Sequence, residues 1–121
     1  MKRLFINSFN GKKVCCVIWK GKPCWVAIQV ASLLDYKKPS RSIAHCIKAE
    51  SFEIGVDYDI LAKEELKAFK SLISEYDVSL LKQAVKVVIL YEEGLYGFLQ
   101  YTEMPIGIEF RKWIRRKVNV I

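Results

Sequence analysis

The run from Cys24 to Lys48, CWVAIQVASLLDYKKPSRSIAHCIK, admits few folds because it has to bend in the middle. A short strand at Cys24–Val26 leads into Val26, Val30, Leu33 and Leu34, spaced i, i+4, i+7 and i+8 as on the single buried face of a helix. Pro39 disfavours α geometry at the residue before it, so this helix cannot run on through Tyr36 and Lys37. A second helix follows, capped by Ser40 or Ser42. Its inner side is expected to hold Ile43, Ala44 and Ile47, and its outer side Arg41, His45 and Lys48. The first helix carries almost no charge, whereas the break carries Lys37 and Lys38. Two short helices with a cationic corner can present that corner to a phosphate backbone. An ordinary helical hairpin with a solvated elbow has the same periodicity. The stretch from Asp35 to Ser40 is longer than the three- or four-residue turn of a standard helix-turn-helix, so spacing leaves both readings open.

Charge adds a second constraint. The 121 residues carry a formal net charge of +7, unevenly placed. Residues 1–22 hold six Lys/Arg and no acid, and residues 23–49 hold four against Asp35 alone. Residues 50–83 reverse the sign, with eight Asp/Glu and four Lys, and residues 111–121 return to five Lys/Arg and no acid. At a pI near 9.3, such segregation gives a polyanion-binding surface if folding gathers the basic ends. Otherwise the charge serves solubility.

Residues 1–121 are expected to form one domain, able to bury roughly two-thirds of the surface of the unfolded chain. No apolar run reaches the ~20 residues needed to span a bilayer. The opening MKRLFINSFNGKK turns polar too early for a secretory signal, so a cytoplasmic location is expected. Cys15, Cys16, Cys24 and Cys46 then read as reduced, half-buried thiols. With Cys15 and Cys16 adjacent and no C-x-x-C pair, neither a metal nor another cofactor is expected. Nor is an enzyme. Gly94-x-x-Gly97 is too sparse for a phosphate loop, and the lone His45 has no Asp, His or Cys set for proton transfer.

The remaining chain reads as α+β: a small antiparallel sheet, made of an N-terminal hairpin and a later central strand, packed with four to five helices. Asn10-Gly11 is a type I′ turn signal between Leu4–Phe9 and Val14–Trp19. Lys20-Gly21-Lys22-Pro23 turns the chain into the strand at Cys24. Glu50–Asp59 reads as loop or short strand turning at Gly55, and Lys63–Tyr76 as a helix with Leu66, Phe69, Leu72 and Ile73 inward. Asp77–Lys82 reads as a link to the apolar strand Val85–Tyr91, which ends at Glu92-Glu93-Gly94. Leu95, Tyr96 and Leu99 then suggest a short helix to Thr102. Pro105 suits the first turn of a last helix, with Ile106, Phe110, Trp113 and Ile114 on one stripe.

In order, these pieces resemble the BRO N-terminal domain, the module at the front of phage antirepressors and of BRO proteins of large DNA viruses. The resemblance rests on Cys24-Trp25-Val26-Ala27, Leu34-Asp35-Tyr36-Lys37-Lys38-Pro39-Ser40, Glu92-Glu93-Gly94-Leu95-Tyr96 and Phe110-Arg111-Lys112-Trp113, and covers about Val14 to Val118. Asp35 stands where the family usually has Gly, Cys24 and Ile28 replace larger or charged residues, and the acidic stretch Glu50–Lys82 is long. Pro105-Ile106-Gly107 fits a phage subgroup. The resemblance implies a DNA-binding regulatory domain controlling phage genes in a bacterial host cell, with a homo-oligomer compatible. Its other implication is a module that binds and inactivates a phage repressor protein without touching DNA.

The candidate nucleic-acid contacts are Lys37, Lys38, Ser40 and Arg41 at the start of the second helix, where free amides and the dipole favour an anion. His45 and Lys48 follow at successive turns. Arg111, Lys112, Arg115 and Arg116 form a cationic band on the last helix, where the dipole already favours them; Arg111 has a pairing with Glu92 or Glu93 as its alternative. Trp25, Trp113, Tyr96 and Phe110 read as core, and Tyr91 and Tyr101 as partly exposed. In the protein-binding reading, the acidic helix and the exposed tyrosines are the working face.

Overall fold

Two tight turns organise the first third of the chain. Asn10 and Gly11, at φ +48° and +77°, fold β1 (Leu4–Phe9) onto β2 (Lys12–Trp19), with Phe9 opposite Lys12. Lys20 and Gly21, at φ +52° and +78°, repeat the device between β2 and β3 (Lys22–Val26), so Lys22 and Pro23 belong to the strand and not to the turn. The computed structural model describes residues 4–73, 84–102 and 105–118. Among these, β4 (Tyr58–Ala62) and β5 (Lys86–Tyr91) complete a five-stranded antiparallel sheet of order β1-β2-β3-β5-β4. Five helices accompany it: α1 (Ala27–Leu33), α2 (Pro39–Ala49), α3 (Lys63–Leu72), α4 (Glu92–Tyr101) and α5 (Pro105–Val118). The α+β expectation holds.

The period of two along each strand sends neighbouring side chains to opposite faces. Val14, Cys16, Trp25 and Leu90 join one core, roofed by α1, α2, α4 and α5. Cys15, Val17, Cys24, Val26, Val87 and Ile89 join the other, roofed by Leu66, Phe69 and Ile73 of and beside α3. The helix α3, with three Lys and two Glu, therefore lies across the sheet from α2 and α5.

Several local expectations are corrected. Neither Ser40 nor Ser42 caps α2; its N-cap is Lys38 and Pro39 is its first residue. The fixed φ of proline suits that first position, so the helix starts two residues earlier than a Ser40 cap would give, and the Ser42 hydroxyl turns back to the Lys38 carbonyl at 3.2 Å. Ala44 is exposed, and Cys46 takes the inward place beside Ile43. Glu92-Glu93-Gly94 ends the strand as expected. It opens α4, the two acids sitting where the helix dipole is positive. Tyr91 is buried, its hydroxyl donating to Asp59 at 2.8 Å. Trp25 and Phe110 are core as expected, while Tyr96 and Trp113 are half-buried against it. The linker Asp77–Lys82 and the end of the helix at Tyr76 fall outside the described residues.

All four cysteines are unbridged and fully buried rather than half-buried. Burial pushes the thiols of Cys15, Cys16 and Cys46 up to about 12, and that of Cys24 higher still. A thiol whose folded pKa is raised contributes stability that is whole below its unfolded value and is lost as pH climbs through the folded one. The domain should thus resist thiol reagents at neutral pH, giving four reactive equivalents only in denaturant, and should weaken above pH ~9. Titration with a chromogenic disulfide checks this; prompt native labelling of even one thiol would contradict it.

Candidate nucleic-acid interface

The elbow between α1 and α2 is built by backbone hydrogen bonds. Asp35 takes φ +65°. Its N–H reaches the Ser32 carbonyl at 3.1 Å, and the Tyr36 N–H reaches that of Ala31 at 3.2 Å. This pair of bonds is a Schellman close, and Asp tolerates the left-handed position better than most residues with a side chain. Tyr36 then anchors the bend: its hydroxyl donates to Thr102 Oγ1 at 2.7 Å and its ring lies 5.9 Å from Phe98. Lys37 and Lys38 project from the anchored turn, both exposed.

The start of α2 is open to an anion. The helix has no side-chain cap, and its first intrahelical bond is from Ser42 N–H to Lys38 O at 3.1 Å. The amides of Ser40 and Arg41 precede that bond, and unsatisfied N–H groups at a helix start attract phosphate. Arg41 and Lys48 are exposed on the outer face. His45, between them, hydrogen-bonds through Nδ1 to the Tyr101 hydroxyl, so it ties α2 to α4. Ser40 also borders an apolar groove, described below, and so divides its surroundings between the two.

A further cation joins the elbow from a distance. Lys12, at the tip of the first hairpin, reaches Asp35 Oδ1 at 3.4 Å, and both side chains are about half exposed or more. Sequence reading placed no site residue there. The pair spans 23 positions, and no local pattern announces it. The same hairpin holds α5: Phe9 packs edge-on to Phe110 with centroids 5.0 Å apart and tilts against Trp113 at 5.4 Å. Lys112, Arg115 and Arg116 are exposed along α5, and Arg111 is half-buried.

The expected pairing of Arg111 with Glu92 or Glu93 does not form. Arg115, one turn further on, is the cation that acts on Tyr96, whose pKa is pushed up by burial and by Glu92 and eased down by Arg115. Among the described residues there are two ion pairs, Lys12–Asp35 and Lys20–Glu65. The Lys20–Glu65 pair, at 2.5 Å, neutralises a cation on the α3 side of the sheet. Lys22 is also committed there, donating to the Gly55 carbonyl at 3.1 Å and lying 4.9 Å from the Tyr91 ring. Lys37, Lys38, Arg41, Lys48, Arg111, Lys112, Arg115 and Arg116 form no ion pair with any described residue.

A profile described as the BRO family, N-terminal domain, matches residues 13–120. The chain belongs to that family. No curated protein and no solved structure matches it. Among its described residues this BRO domain has no group of three or more His, Cys, Asp or Glu placed to hold a metal ion. Nor is any described helix long and apolar enough to cross a membrane. Among the described residues its surface also carries an open apolar feature beside α2. A groove of about 450 Å³ runs between α2 and the β4–β5 edge, lined by Ile28, Ser40, Ala44, Ile47, Ile60 and Val88 among others.

Proposed function

We propose that this domain is the nucleic-acid-binding regulatory module of a phage antirepressor or BRO-type protein, working in the cytoplasm of a bacterial host. DNA phosphates would be held by Lys37, Lys38, Arg41 and the free amides at the start of α2, with Lys48 and the exposed cations of α5 adding charge. Ser40 offers its amide more readily than its hydroxyl, and His45 serves by fixing α2 in place. The observation that carries the reading is that α2 and α5 lie on one face of the sheet and that Lys37, Lys38, Arg41, Lys48, Lys112, Arg115 and Arg116 there are exposed and form no ion pair with a described residue. Phosphate contacts of this kind give affinity and register, and carry little sequence information.

Neutralising about five phosphates makes log K fall against log salt with a slope near −4 to −5. Fluorescence anisotropy with a labelled duplex over a salt series measures that slope. A flat response would remove the electrostatic account.

The groove beside β4 favours a second reading, capture of a phage repressor protein. Ile60, in its lining, is 43% exposed, and Ala44 of α2 opposite is exposed as well. In that reading the apolar edge is the working surface in place of the acidic helix. Binding to the repressor with no salt-dependent binding to duplex would favour it.

A further inference from the structure

Asp35 is the one acid among the first 49 residues, and it sits within the cationic elbow. The turn does not need its carboxylate. The bonds that close α1 come from backbone groups, and the left-handed position at φ +65° accepts Asn or Gly as well. The contact that the carboxylate does make is with Lys12, at 3.4 Å. The two-residue turn at Asn10-Gly11 holds the base of Lys12 firmly, with Phe9 and Lys12 paired across it. The ammonium group is therefore delivered to the elbow and then occupied by an anion of the protein itself. Both partners remain well exposed, 52% and 66%, so an incoming phosphate oxygen can reach the ammonium and compete for it.

We propose that Asp35 restrains nucleic-acid binding by sequestering Lys12, and that Lys12 becomes a phosphate contact when that pair opens. This rests on the nucleic-acid reading above and adds a hairpin contact and a negative regulator to it. Opening the pair moves no proton and breaks no covalent bond. The ammonium exchanges a carboxylate oxygen for a phosphate oxygen, and the abandoned carboxylate repels the polyanion beside it. That repulsion is why the exchange limits affinity.

The test is duplex binding by D35N, K12A and the double variant at about 50 mM salt, with D35G as a second form that keeps the turn. D35N and D35G should each bind roughly three- to ten-fold more tightly and steepen the salt slope by about one unit, the signature of one added phosphate contact. K12A alone should change binding by less than about two-fold, and in the D35N background it should cut the gain below about two-fold. Unchanged or weaker binding by both Asp35 variants overturns the proposal, as does a gain that survives loss of Lys12. If the unmutated domain binds no duplex at this salt, both readings fall; salt-dependent binding that is indifferent to Asp35 sinks the restraint alone.

Discussion

Replacing Gly94 with alanine should lower the unfolding midpoint by more than about 10 °C, the largest stability effect expected of any single methyl group here. A Cβ at this position would lie 1.8 Å from the Asp57 carbonyl oxygen and 2.7 Å from its carbon. Small-to-large changes in a packed interior usually cost about 1–3 kcal/mol because side chains shift to absorb them. Both sides of this contact are backbone. The Asp57 carbonyl accepts the Tyr91 N–H at 3.0 Å immediately before β4, and Gly94 lies in the first turn of α4. Relief requires parting α4 from β4, so a cost of about 3 kcal/mol or more follows. Gly97→Ala is the control: its Cβ would meet the tip of the Phe52 ring at 2.9 Å, which can swing away. Thermal unfolding followed by circular dichroism compares the two. A midpoint for Gly94→Ala within ~3 °C of the parent would mean that α4 can move freely on the sheet, contrary to the packing described. The elbow should suffer too, since α4 carries Tyr101 against His45 and leads directly to Thr102, the partner of Tyr36.

How far the sequence revealed this arrangement depended on the range of the forces involved. Asn10-Gly11, the apolar run ending at Tyr91 and Pro105 each act within a few residues, and each sits where its local chemistry predicts. β4 was legible only in part, as a loop or short strand ending at Asp59, because it carries acid inside a strand: Asp59 faces the α3 side and is satisfied there by the Tyr91 hydroxyl. Ser40 and Ser42 looked like caps because caps are recognised by residue type, while the rigid ring of Pro39 decided the register. Ala44 and Cys46 exchanged places for a related reason, since starting α2 at Pro39 and packing it against α1 and α4 turns the buried stripe toward Ile43 and Cys46. At the site, the exposed cations of α2 and α5 were readable as charge. Their separation from α3 was not, because it follows from pairing β3 with β5 across 59 intervening positions of chain. Lys12 belonged to the same class, a contact fixed by topology alone.

Changing Lys37, Lys38 and Arg41 together to alanine should weaken duplex binding on the order of 100-fold at about 50 mM salt, by a similar factor for every sequence tested. Each cation that neutralises a phosphate contributes about 0.9 to the salt slope, so the triple variant should flatten it by roughly 2.7. The three are chosen because position and freedom coincide in them. Lys37 and Lys38 leave a turn pinned by Tyr36, Arg41 rises from the first turn of α2 beside uncapped amides, and none pairs with an acid among the described residues. Exposed substitutions of this kind change stability by about 0.5 kcal/mol or less each, so a loss of binding without a shift in unfolding midpoint isolates the contact. The band on α5 makes the sharper comparison. Arg115 and Arg116 stand near the end of their helix, where the dipole alone accounts for positive charge at ~0.3–1 kcal/mol apiece. Replacing Lys112, Arg115 and Arg116 should therefore cost less binding than replacing the elbow trio, although the charge removed is equal. Equal losses from the two trios would mean that binding follows net charge and has no seat at the elbow. Preserved affinity in the elbow variant would remove the start of α2 from the interface altogether.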